Sequence, residues 1–479
     1  MATNSKGKDL IYQLDGRPPL HVALPFGLQH VLTMFVGNLA PVLILAGVVS
    51  AATGDRIISD EHRILMIQCA MLVSGVATLL QLYPIRIGKF QIGGGLPIVM
   101  GTSFVFVGAL VAIGAEYGLP VIFGSILVGA FAEILLGVFL KPLQRLFPPI
   151  VIGCVLMAIG LSLLPIGVQY LAGGAQAQAA FEQASVLQSL GLPVGAELSA
   201  AAASYGSWQN ILVGVSVLLV VVAVQRWGRG FAKALAILAG IIVGYVLAFA
   251  FGMVDVSVIT EAKIVALPVP ATMPAFEPGP IITIALLYVI CGLETMGNIN
   301  GITAAAFDRP ASPREVSGAI IADGVGCLFA SIFNALPNTA FGQNSGIVAM
   351  TKVVNRWCVA MGAFVLIAAG FFPPIGALFS AMPPCVLGGA VITVFGMIVV
   401  NGMKLIALEG LGERSILIIC ITFGVGFAIS KTSSLVGLFA EPFHFIFSEP
   451  TLAVCLVAVV ANLLFRQARP KTGVATNNE

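Results

Sequence analysis

The chain has 479 residues and a formal net charge of +2; 58% of its residues are hydrophobic and only 9% are charged. Soluble domains carry roughly 25% charged residues, so a water-soluble globule is excluded, and so small a net charge gives no footing to nucleic-acid binding. Repeated apolar stretches of about 20 residues fit the hydrocarbon core of a bilayer instead.

Residues 1–19 are polar and contain Lys6, Lys8 and Arg17; the segment 1–21 reads as a cytoplasmic tail rather than a cleavable signal peptide. Fourteen spans follow, near 22–49, 62–83, 94–114, 118–140, 148–168, 209–225, 232–252, 280–300, 316–335, 340–355, 357–373, 380–403, 414–431 and 449–465, with a second tail at 468–479. The third and tenth are the weakest, being rich in Gly, Pro, Ser, Thr and Asn. With both termini in the cytoplasm, all but four of the 23 Lys and Arg fall on cytoplasmic segments, and only Arg56, Arg63, Lys263 and Lys431 fall outside. That is the bias of the positive-inside rule, and a wrong span count scrambles it. The eight cysteines are scattered through apolar runs without a CxxC pair, which predicts small core residues and neither a disulfide framework nor a metal site.

Two patterns recur about half a chain apart. Phe147-Pro148-Pro149 opens the fifth span and Met382-Pro383-Pro384 the twelfth; Leu96-Pro97 begins the third and Leu336-Pro337 precedes the tenth. Each pair is seven spans apart, an odd number, so the halves must lie in the membrane with opposite orientation, as in the inverted repeats of secondary transporters. Aligning Leu-Pro with Leu-Pro sets Ser103 opposite Gln343. Both lie in segments of poor helix content, which the bilayer tolerates only where protein or a watery cavity surrounds them. Half-helices starting near Phe104 and Asn344 then aim their positive N-terminal ends at one midplane point, the expected substrate site.

Ionisable residues inside the spans are few: His30, Glu133, Glu294 and Asp323. A charge at the bilayer centre costs on the order of 2.5–3.5 kcal/mol, so each asks for a reason. Glu294 is either placed to accept hydrogen bonds from ligand N–H groups and to carry a proton, or a neutral structural carboxyl bonded to a nearby helix. Asp323 is either a proton site or a tether for the broken segments. His30 bonds either Asp323 or a half-helix, and Glu133 is either a helix-packing bond or functional. The Gln343-Asn344 amides each offer a donor and an acceptor, complementary to the lactam edge of a purine or pyrimidine, and Phe104 and Phe341 flank them.

At these residues the sequence resembles the nucleobase–ascorbate transporter family, most of all its bacterial xanthine and uric acid permeases. Phe341-Gly342-Gln343-Asn344-Ser345-Gly346 with Thr351 matches the family signature, and Leu10 to Pro19, Gln29-His30, Gly101-Thr102-Ser103-Phe104, Glu294 and Asp323-Gly324 match in the same order. The resemblance implies an all-α polytopic fold of fourteen transmembrane segments in two inverted repeats of seven, with short antiparallel strands in the broken segments 3 and 10. It implies a core domain (22–140 and 280–373) and a gate domain (141–252 and 380–467), dimerisation through the gate, and an elevator motion. It assigns substrate binding to Glu294, Gln343, Phe104, Phe341, Ser103 and Gly342, and proton coupling or support to Asp323, His30, Asn298 and Asn344. Asn298 stands where those permeases carry Asp, and Ser103 where some xanthine-selective members carry Asn. Gln343 favours a purine over uracil. The expected activity is proton-coupled import of an oxidised purine, xanthine or uric acid, across a bacterial inner membrane, without cofactor. The alternatives are a uracil symporter, an inorganic anion transporter of the same architecture, a passive base channel and an intramembrane enzyme; for the last, neither HExxH nor GxSxG occurs.

Overall fold

The computed structural model describes residues 10–53, 58–140, 146–439 and 443–465. Residues 1–9, the expected tail 468–479 and the basic residues Arg56, Lys141, Arg145, Arg466, Arg469 and Lys471 lie outside them. Apolar runs bounded by proline, serine or glycine become helices, since in a bilayer the backbone must bond to itself. In the first half these are α1 (Leu20–Thr53), α2 (Asp60–Leu82), α3 (Val107–Tyr117), α4 (Leu119–Val138), α5 (Pro149–Leu171), α6 (Gly174–Ser189), α7 (Ala196–Ser204), α8 (Trp208–Trp227) and α9 (Ala236–Ala250). In the second half they are α10 (Pro278–Phe307), α11 (Pro313–Ile332), α12 (Gly342–Thr351), α13 (Arg356–Gly370), α14 (Pro373–Ser380), α15 (Pro384–Glu409), α16 (Glu413–Ile421) and α17 (Pro450–Leu464). Proline opens α5, α10, α11, α14, α15 and α17 at N1 or N2, where its missing N–H is no loss. Among the described residues nine helices are long and apolar enough to cross a bilayer, or ten if the bent pair α13–α14, kinked by 79°, is one span. The chain is a mostly helical, multi-pass membrane protein.

Two features depart from the sequence expectation. No span was placed between 169 and 208, yet α6 and α7 fill that stretch; their Gln, Glu and Ser residues break up any apolar run long enough to read as a span. The turn after α2 is a hairpin of β1 (Ile85–Ile87) and β2 (Phe90–Ile92) around Gly88 at φ +58°, short strands in a chain expected to have them only in segments 3 and 10.

In segments 3 and 10 the chain is extended. Strand β3 (Met100–Thr102) pairs antiparallel with β4 (Asn338–Ala340), Gly101 facing Thr339. Each strand feeds a short helix, β3 into α3 and β4 into α12. Asn38 of α1 holds the pair from one side, its Oδ1 accepting from the Thr102 amide (2.7 Å), the Thr102 hydroxyl (2.9 Å) and the Ser74 hydroxyl (2.9 Å). Helix α11 packs chiefly on α4, and α13 on α1 and α2, while α15 packs on α5 and α8.

Candidate functional site

A cavity of about 310 Å³ opens beside the two-stranded sheet. Its walls come from four places: Thr102 at the end of β3 with Phe104 and Val105 beyond it; Glu294, Gly297 and Asn298 on α10; Thr339 to Gln343 at the β4–α12 junction; and an opposite wall from α5 and α15 that includes Leu156, Asn401 and Lys404.

The β4–α12 junction is built for exposure of its N-terminus. Phe341 precedes α12 in extended conformation (φ −81°, ψ 111°), and no side chain caps the helix. Its first residues, Gly342 and Gln343, line the cavity at the positive end of the helix. Asn298 donates from Nδ2 to the Ala340 carbonyl at 2.7 Å, fixing β4 to α10. Phe341 is 5% exposed, and its ring rests in a slot cut by glycines. A Cβ on Gly101 would lie 2.4 Å from Phe341 Cε2, and one on Gly37 would lie 2.8 Å from Phe341 Cε1 and 4.0 Å from Phe104 Cε2. Both rings thus converge on Gly37. Phe104 also meets Phe395 of α15 edge-on, centroids 5.7 Å apart. Helix α3 starts at Val107 rather than at Phe104, because residues 103–106 turn first: Ser103 Oγ accepts from the Val105 amide at 3.3 Å.

Of the ten residues that the resemblance assigns to binding or support, Glu294, Gln343, Phe104, Phe341, Gly342 and Asn298 line the cavity together. The other four stand behind it. Ser103 is buried against the turn and Cys291. Asn344 donates from Nδ2 to both His30 Nδ1 and the His30 carbonyl, each at 3.1 Å, pinning the first turn of α12 to α1. The hydrogen bond of His30 is therefore to the half-helix side chain, and Asp323 bonds elsewhere. The Thr295 hydroxyl donates to Asp323 Oδ2, and Thr295 Oγ1 lies 3.3 Å from Thr339 Oγ1 of β4. The carboxyl nearest Asp323 is Glu133 of α4, within 4.8 Å.

Sequence reasoning missed Lys404, taken as a cytoplasmic residue past the end of the twelfth span, because α15 runs on to Glu409. It also missed Asn38, whose only signal is a lone amide inside an apolar run.

The model of the Permease family (Xan_ur_permease) matches residues 21–201 and 194–435. The chain is 33% identical over 456 residues to the uric acid permease PucJ of Bacillus subtilis, covering 94% of each. It is 29% identical over 494 residues to the xanthine permease XanQ of Escherichia coli, covering 99% of each. In fold it is similar to murine Slc26a9, an anion transporter in an inward-facing state, with a TM-score of 0.56 at 12% identity over 96% of this chain and 70% of that one. It also resembles the transmembrane domain of the cyanobacterial bicarbonate transporter BicA (TM-score 0.50, 14% identity, 90% and 97% covered). On the match along most of its length, the chain belongs to the nucleobase–ascorbate transporter family, and is a permease rather than an enzyme.

Proposed function

We propose that this protein imports a purine base, xanthine or uric acid, together with a proton. One observation carries the reading: one carboxyl (Glu294), the amide of Gln343 and two aromatic rings (Phe104, Phe341) meet on one cavity of about 310 Å³ at the mouth of a helix N-terminus. The carboxyl and amide offer an acceptor–donor edge to a lactam, and the rings flank a flat heterocycle. Gly342 lets the base approach the backbone of α12. A proton on Glu294 offsets the cost of a midplane charge. An unpaired buried polar group costs about 1–3 kcal/mol, so a base with the wrong edge is rejected.

In this reading α1–α4 and α10–α13 form the core that carries the site, and α5, α8, α9 and α15–α17 form the gate. The core slides past the gate, exposing the cavity to one side at a time, and two copies join through their gates in a bacterial inner membrane with both termini cytoplasmic. Fourteen segments in two inverted repeats underlie the motion. The Leu-Pro that precedes each strand and the helix that follows each one support this repeat.

The test is accumulation of labelled xanthine and urate by cells or proteoliposomes, with competition by other bases. Accumulation against the gradient, abolished by a protonophore, is the expected result, and Glu294→Gln lowers it more than tenfold at unchanged membrane abundance. Uptake of sulfate or bicarbonate in place of bases, on a fold shared with anion transporters, overturns the proposal. Preferred uptake of uracil replaces the substrate but keeps the site.

A further inference from the structure

Helices α4 and α11 cross backbone to backbone: a Cβ on Gly324 would lie 3.1 Å from the Ala130 carbonyl oxygen and 3.0 Å from the Ile134 nitrogen. Small residues at such crossings let helices meet closely in a bilayer. This crossing brings Asp323 against Glu133, both fully buried. Carboxyl oxygens of the two, and Cys327 Sγ, lie within 4.8 Å of one another. Thr295 serves one Asp323 oxygen. The other Asp323 oxygen, both Glu133 oxygens and the hydroxyl of the fully buried Tyr288 have no hydrogen-bond partner. The Tyr288 ring edge lies 3.1 Å from a Cβ position on Gly129, one turn before Glu133.

The groups facing the pair are Tyr288, Cys291 and Glu294 from α10 and Cys327 from α11. None of them is a cation, and no Lys or Arg is buried among the described residues. Neither carboxyl lines the cavity. Two carboxylates at this separation and depth repel each other and have lost their hydration, so they cannot both stay ionised. A hard monovalent cation is poorly matched to a thiol, and one thiol with two carboxyls falls short of the four-ligand sites that hold structural zinc. A proton suits the donor-poor set: one carboxyl that carries it gives the facing oxygens a donor they otherwise lack.

We propose that Glu133 and Asp323 hold one proton between them, a second acidic site behind the cavity that stays loaded while Glu294 gains and loses its own. Its occupancy is independent of the symport reading, and only its effect on transport rests on it.

The test is infrared spectroscopy of the purified full-length protein in H2O and D2O. A protonated-carboxyl band that shifts on deuteration is expected in wild type and in Glu294→Gln, and is lost or displaced in Glu133→Gln and in Asp323→Asn. Two variants guard against one that fails to fold, and size-exclusion chromatography identifies it. A band identical in wild type and in a folded Glu133→Gln overturns the proposal. So does a sodium-dependent change of that band, or a metal found at one per chain. Wild type that shows the band but accumulates no base refutes symport and leaves the shared proton standing.

Discussion

The link between Asn344 and His30 can be removed with little change in volume by Asn344→Leu. The native amide makes two buried hydrogen bonds of 3.1 Å, and both residues are 1% exposed. His30 Nδ1 would be stranded, at about 1–3 kcal/mol; the His30 carbonyl keeps its place inside α1, so the second bond adds about 1 kcal/mol. The sum, about 2–4 kcal/mol, is roughly 30- to 700-fold in the population of the anchored α12, at 1.4 kcal/mol per factor of ten. Base affinity should fall by a factor in that range, because Phe341 to Gln343 ride on the anchored turn. The assay is a double-mutant cycle on purified protein, with His30→Leu, Asn344→Leu and the pair, read by xanthine titration and thermal shift. Residues in direct contact should couple by about 0.5–3 kcal/mol, the double variant being no worse than the poorer single one. Strictly additive losses would refute the reasoning.

Gly101→Ala sets a methyl 2.4 Å from the Phe341 ring and 2.7 Å from Met34 Cε; overpacking costs about 1–3 kcal/mol, so purine affinity should drop about tenfold, while Gly301→Ala, with open space around it, leaves it unchanged in the same titration. Asn298→Leu removes the 2.7 Å tether to Ala340 and should weaken binding by about tenfold, a buried carbonyl losing its donor at about 1–3 kcal/mol; unaltered binding would show that β4 holds itself. Lys404→Gln removes the cation on the α15 wall. Urate is anionic at neutral pH and xanthine largely neutral, so competition should show urate losing up to about fivefold relative to xanthine, the worth of a solvated ion pair of up to about 1 kcal/mol.

The helices were legible because hydropathy and proline punctuation are local. α10 spans 278–307 against an expectation of 280–300, and α5 spans 149–171 against 148–168. Glu294 was legible for a different reason: a carboxyl in a bilayer run is costly enough to stand out, whereas the amides of Asn38 and Asn401 did not. What the sequence could not supply was partnership. Glu133 and Asp323 are both conspicuous, but nothing local says that a glycine crossing sets them together. Lys404 looks like a loop residue until the helix that carries it is seen to continue. Residues 174–189 form a helix with no apolar run to announce it, and only Gly174, Ala175, Ala177 and Ala184 of it are buried.

The sheet of β3 and β4 has a consequence for assembly. Its two strands lie in opposite halves of the chain, so this sheet beside the cavity is absent until residues 338–340 have been threaded into the lipid and have found Met100 to Thr102. The intervening loop is long, and its closure entropy must be met before any strand contact forms. A nascent or truncated chain ending short of that point lacks the β4–α12 wall of the cavity.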